Sequence, residues 1–235
     1  MLFKNSIIII NFIKNFIDPM AFTKNRFQIF AVENEQKGSQ YRRIDVELII
    51  HGAYNEELSN VQEKKAEEQV QTVPDVDENI PQSTEVDEDV IALVIANENY
   101  DKSSGLIANV PFSQNDGKVF CEYLKKTLGV PSEQVKYLSD ATYNQMQSGF
   151  DWLEKTAKAW NGKAKVIVYY SGHGMPIVSS NSTYLVPVDA NPTRPEQMCE
   201  LKKLYSTLSA LPTQSAVCFL DACFCGTQRN GKIKR

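Results

Sequence analysis

Two stretches decide how this chain is read: Val166-Ile-Val-Tyr-Tyr-Ser-Gly-His-Gly174 and Ala216-Val-Cys-Phe-Leu-Asp-Ala-Cys-Phe-Cys-Gly226. Each opens on an apolar run with no polar alternation. That is the pattern of a strand buried on both faces, as in a parallel sheet. Each then runs out into a reactive side chain, His173 in the first and Cys223 in the second, 50 positions apart. A thiol and an imidazole at the ends of neighbouring strands can form a catalytic dyad, with the thiol as nucleophile and the imidazole as its base.

Working outward, further strands and helices alternate around these two. Residues 90–95, Val-Ile-Ala-Leu-Val-Ile, form another continuous apolar run. Ser113-Gln-Asn-Asp116 supplies helix-start chemistry, and Val119, Phe120, Tyr123, Leu124 and Leu128 continue with helical spacing up to Gly129. Residues 135–138 read as a short strand. Asp140-Ala-Thr142 opens a second helix, with Met146, Phe150, Trp152, Leu153 and Ala157 facing inward. Residues 165–170 and 216–220 are the strands of the two motifs, with a helix over roughly 198–211 between them. Alternating strands and helices predict an α/β fold with a mostly parallel sheet covered on both faces. Active sites in such sheets lie beyond the carboxyl ends of the strands, where His173 and Cys223 both fall.

Upstream of residue 90 the chain changes character. Residues 27–32 and 44–50 alternate with period two and read as short strands of a small accessory segment spanning 21–54. His51, beside Gly52, is expected to be a turn residue. Residues 55–89 are rich in Glu, Gln, Asp and Pro and read as an acidic linker, with a short helix near 56–70. Residues 1–20 hold an apolar run that is too short to span a bilayer. It lacks a clear small-x-small cleavage site, so a signal or anchor and a mis-assigned start upstream of Met20 both stay open.

Composition narrows the function classes. The chain has 235 residues, 42% hydrophobic and 23% charged, with a net charge of −4. That is ordinary for a globular protein and gives no reason to expect nucleic-acid binding. Its five cysteines, Cys121, Cys199, Cys218, Cys223 and Cys225, show no paired spacing. No disulfide framework or zinc pattern follows, and Cys121 and Cys218 read as small core residues. Two histidines exclude a multi-histidine metal site. The segment after residue 95, Ala96-Asn-Glu-Asn-Tyr-Asp-Lys, lacks the glycines of a phosphate-binding loop, which argues against a nucleotide-binding domain.

Tyr170-Ser-Gly-His-Gly174 and Asp221-Ala-Cys-Phe-Cys-Gly226 resemble the histidine and cysteine motifs of the caspase-like cysteine peptidases, and the separation of about 50 residues matches theirs. The likeness covers roughly residues 90–232. It is nearer the metacaspase and bacterial caspase-like branch, with Asp-x-Cys-x-Ser-Gly, than the animal caspases, with Gln-Ala-Cys. The resemblance implies a three-layer sandwich and a cysteine endopeptidase with Cys223 as nucleophile and His173 as base. It implies an oxyanion hole made by the backbone amides of Gly174 and Cys223. Cys225 stands where relatives carry serine, either as a silent replacement or as a second thiol that is oxidised together with Cys223.

Specificity follows from charge. Asp221 lies two residues before Cys223, so along an extended strand its carboxylate sits on the nucleophile's side. A partly buried carboxylate there calls for a cationic partner, which favours Arg or Lys before the scissile bond. In metacaspase-like relatives such a pocket is built from three positions that correspond to Asp116, Ser171 and Asp221. The expected substrates are therefore proteins or peptides, with no nucleic acid and no membrane partner. No cofactor is expected. A calcium requirement stays open, because no full acidic ligand set matches, although Asp189 ends an extended run near the relevant loops.

Relatives carry two further strands after the cysteine, and here only twelve residues follow Cys223. The expectation is a large-subunit portion whose motif strand has an open apolar edge. It would be a fragment, a processed piece, or one half of a pair with a separate small C-terminal chain. The basic tail from Arg229 to Arg235 would suit self-cleavage. The alternative function is an inactive caspase-like interaction module. Free thiol chemistry suits the cytoplasm.

Overall fold

The structure is a computed structural model that describes residues 27–33, 42–48, 80–100, 103, 105–177 and 182–223. The apolar N-terminus, His51, the 55–79 stretch, Cys225 and the basic tail lie outside the described residues. Eight strands are present: β1 (Phe27–Glu33), β2 (Arg42–Leu48), β3 (Val90–Ala96), β4 (Val135–Ser139), β5 (Lys165–Ile177), β6 (Ser182–Leu185), β7 (Cys199–Glu200) and β8 (Ser215–Cys223). Three α-helices accompany them among the described residues: α1 (Ser113–Lys126), α2 (Tyr143–Ala159) and α3 (Leu201–Ala210). The main sheet runs in the order β2-β1-β8-β5-β3-β4, and β6 and β7 continue from the far end of β5. Strands β8, β5, β3 and β4 are mutually parallel, while β1 runs antiparallel to both β8 and β2. This is a mixed α/β architecture, as the alternation of apolar runs and amphipathic stretches predicts.

Side-chain alternation sorts the helices onto the two faces. Ile91, Leu93 and Ile95 of β3 join Val166, Val168 and Tyr170 of β5 and Ala216, Cys218 and Leu220 of β8 in one cluster. It is closed by Met146, Leu153 and Ala157 of α2 and by Leu201, Leu204 and Leu208 of α3. The opposite face belongs to α1. Phe120 stacks on Tyr169 with ring centroids 4.2 Å apart and tilts against Phe219 at 5.5 Å. Helix α1 comes so close to β3 that a Cβ on Gly117 would lie 2.6 Å from the Ala96 Cβ, so only glycine fits. Each fully buried Leu, Ile or Phe contributes roughly 1.5–3 kcal/mol, and a run such as β3, buried over its whole length, can do so only between two helical layers.

Several local expectations are refined. Helix α2 starts with a capping box: the Thr142 side chain accepts from the Gln145 amide, and the Gln145 side chain returns to the Thr142 amide. Of the five residues expected to face inward on α2, Met146, Leu153 and Ala157 are buried, and Phe150 and Trp152 pack at the rim. Helix α1 has no side-chain cap. Its N-cap is Phe112, in the left-handed region at φ 73, and the Ser113 hydroxyl turns instead to the sheet.

The end of the expected linker is also more ordered than its composition suggests. Residues 81–89 are mostly exposed but tied down: Ser83 N–H donates to the Lys126 carbonyl, the Thr127 hydroxyl donates to the Pro81 carbonyl, and Asp87 pairs with Lys165 at 2.7 Å. The edge of β8 that was expected to be open is occupied by β1, in a seven-residue antiparallel register from Phe27↔Asp221 to Glu33↔Ser215. Alternating segments far from the motif are free to pair wherever a strand presents unsatisfied backbone groups. Among the described residues, no helix is long and apolar enough to cross a membrane.

Candidate active site

Parallel pairing of β5 with β8 brings the two motifs together. The register runs Lys165↔Ser215, Tyr169↔Phe219, Ser171↔Asp221, Gly172↔Ala222 and His173↔Cys223. Adjacent strands lie about 4.8 Å apart, so two residues separated by 50 positions in sequence become lateral neighbours. Neither strand stops short of its reactive residue: β8 carries through Cys223, and β5 continues past His173 to Ile177, where it turns its edge to β6. Gly174, the other residue assigned to the oxyanion hole, is buried in β5 opposite Leu185.

His173 is 5% exposed and held from several sides. Its Nε2 lies 2.7 Å from the Ala108 carbonyl. A carbonyl only accepts, so Nε2 carries the proton and the tautomer is fixed. The backbone N–H of His173 donates to the Tyr100 hydroxyl at 3.0 Å, which in turn donates to the Val186 carbonyl at 3.2 Å. The Tyr170 hydroxyl donates to the His173 carbonyl at 2.7 Å and accepts from the Val186 N–H at 3.2 Å. The Tyr100 ring meets the imidazole edge-on at 4.9 Å. Burial pushes the Tyr100 phenol up to about 12 and the Tyr170 phenol well above the ordinary range, so both stay neutral hydrogen-bonding groups.

This cradle also explains Gly172. Its φ is +152, and a Cβ there would lie 2.8 Å from both the Tyr100 and the Tyr170 hydroxyl oxygens. The glycine leaves room for the two tyrosines that fix His173.

The three residues assigned to substrate binding lie on β5, on β8 and in the first turn of α1. Ser171 is buried, and its hydroxyl lies 3.4 Å from Asp221 Oδ2. Asp116 sits in the first turn of α1, half-buried. The helix start is docked by the Ser113 hydroxyl, which donates to the Ser171 carbonyl at 3.0 Å. Tyr169 lies beneath them. Burial raises its phenol well above the ordinary value, and the charges of Asp221 and Asp116 add to the shift, so both carboxylates act on one hydroxyl. Asp189 takes a structural place, with its Oδ1 accepting the Tyr143 N–H at the start of α2 at 2.8 Å.

The sequence reading missed Tyr100, Ala108 and Ser113. Ala108 contributes only a carbonyl, which no residue type announces. Tyr100 and Ser113 read as loop and helix-start residues until the fold brings them against β5. Cys121, Cys199 and Cys218 are buried free thiols; burial pushes the first two up to about 11 and about 12, which keeps them protonated and inert.

No curated protein matches the chain. The sequence profile described as "Caspase domain" (Peptidase C14) matches residues 89–235, more than half of the chain, and spans both motifs and every strand of the parallel core. The chain belongs to the caspase-domain family of cysteine peptidases.

Proposed function

We propose that this chain is a cysteine endopeptidase that cleaves after Arg or Lys, with Cys223 as nucleophile and His173 as its base. The observation that carries the reading is the β5–β8 register, which sets Cys223 opposite a histidine whose tautomer is fixed by the Ala108 carbonyl. With Nε2 protonated, Nδ1 is the nitrogen that takes the thiol proton. The thiolate adds to the carbonyl carbon of the scissile bond, and the amides of Gly174 and Cys223 hold the resulting oxyanion. Collapse breaks the C–N bond, and the imidazolium returns its proton to the leaving amine. Water, deprotonated by the same imidazole, then hydrolyses the thioester and restores the thiol.

Asp116 and Asp221, with Ser171 between them, form the pocket for the basic side chain. Two carboxylates around one buried hydroxyl create a negative field that a guanidinium or ammonium relieves.

The test is cleavage of fluorogenic peptides carrying Arg, Lys or Asp before the scissile bond, with and without calcium. The expected result is cleavage after Arg and Lys that is abolished by Cys223→Ala. Asp116→Asn and Asp221→Asn should each raise KM about tenfold to 10²-fold, the worth of a charge-assisted hydrogen bond of roughly 1.5–3 kcal/mol. Cleavage after Asp would overturn the pocket assignment. A folded chain that cleaves nothing would instead support an interaction module.

A further inference from the structure

Ala108 and Asn109 are both exposed between the buried Ile107 and Val110, so the exact position of the carbonyl that orients His173 depends on the hydrogen bonds of the segment that carries it as well as on its flanking packing. One side chain gathers several of those bonds. Asp140, at the C-terminal end of β4 with φ +48, accepts four hydrogen bonds. The Glu98 and Asn99 amides donate to Oδ1 at 2.9 and 3.0 Å. The Asn99 and Gln114 side chains donate to Oδ2 at 2.8 and 2.7 Å. The anchor passes to the carbonyl in two short steps: the Glu98 carbonyl accepts the Val110 N–H at 2.8 Å, and the Asn109 side chain accepts the Tyr100 N–H at 2.8 Å. Ala108 immediately precedes those clasps, and Tyr100 is the residue whose hydroxyl takes the His173 N–H.

We infer that Asp140 is a positioning residue for the reaction, clamping Glu98 and Asn99 so that the Ala108 carbonyl holds the His173 imidazole in line with Cys223. The inference rests on the proposed dyad. Asp140 touches neither the substrate nor the reacting atoms. It acts through the backbone of residues 98–100 and 108–110, and it also ties this loop to α1 through Gln114. The fold needs the loop to bury Tyr100, Ile107 and Val110, whereas the chemistry also needs its carbonyl placed to a fraction of an ångström. Misplacing a reacting group by about 1 Å costs on the order of 10²-fold in rate.

The experiment measures kcat and KM on an Arg peptide for the parent, Asp140→Ala, Asp140→Asn, Asn109→Ala and His173→Ala. It also measures the rate at which iodoacetamide alkylates Cys223, which needs no peptide turnover. Asp140→Ala and Asn109→Ala should lose about tenfold to 10²-fold in kcat and in alkylation rate, with KM within about twofold. Asp140→Asn keeps one oxygen for the two backbone amides and should recover most of the loss. Asn109 is exposed, so its variant keeps the test open if Asp140→Ala folds poorly. Parental kcat and alkylation in Asp140→Ala and Asn109→Ala, beside an inactive His173→Ala, would overturn the anchor alone. So would a loss that tracks only the folded fraction, or one that Asp140→Asn does not recover. A fully active His173→Ala would overturn the dyad, and the anchor with it.

Discussion

Replacing Gly172 with alanine tests the cradle around His173 directly. At φ +152 an L side chain is strained by roughly 1–3 kcal/mol. The new Cβ would stand 2.8 Å from the hydroxyl oxygens of Tyr100 and Tyr170, inside the 3.4 Å at which ordinary contact begins. Both hydroxyls must therefore retreat. One receives the His173 N–H and the other donates to its carbonyl, and each lost bond costs about 1 kcal/mol. The total is about 3–5 kcal/mol, a large share of the 5–15 kcal/mol that usually holds a domain together. In urea, with a slope of roughly 2–3 kcal/mol/M, the unfolding midpoint should fall by about 1–2 M. Tyr170→Phe removes one of the two oxygens, so the Gly172→Ala, Tyr170→Phe double variant should be more stable than additivity allows, by about 1 kcal/mol. A parental midpoint for Gly172→Ala, or strict additivity in the cycle, would refute the reasoning.

Three other expectations concern the frame of the site. Gly117→Ala places a Cβ 2.6 Å from the Ala96 Cβ and should cost about 1–3 kcal/mol by pushing α1 off the sheet, seen as a lowered Tm. Phe112→Asn should raise Tm, because an exposed phenylalanine at φ 73 packs little and is strained, while asparagine adopts that conformation readily. Burial acts to raise the Asp140 carboxyl, but hydrogen bonds from Asn99, Glu98 and Gln114 outweigh it and hold it below the ordinary value. Its folded pKa is depressed, so its contribution is full above the unfolded value of about 3.9 and is lost as pH falls through the lower folded value. Denaturation at pH 6 and pH 3 should therefore show a parent-minus-Asp140→Asn difference that shrinks in acid.

The apolar runs at 90–95, 165–170 and 216–220 were readable as central strands because uninterrupted burial leaves a local signature. The helices were readable from their period and from helix-start residues such as Thr142. His173 and Cys223 stood out because few residue types carry that chemistry, and each follows such a run. Other features depend on pairings between distant segments, which no local pattern encodes. The His173↔Cys223 register, the docking of β1 on β8 and the approach of Ser171 to Asp221 are of this kind. The same holds for the carbonyl of Ala108 and the hydroxyl of Tyr100. Both act on His173 across more than 60 positions of sequence, through groups that many other residues carry equally well. Burial and side-chain chemistry are properties of single residues and short runs, so the sequence by itself determined the strands and singled out the candidate pair. Orientation depends on which backbone groups are left to meet, and that was decided only when the sheet closed and the loop after β3 folded over the end of β5.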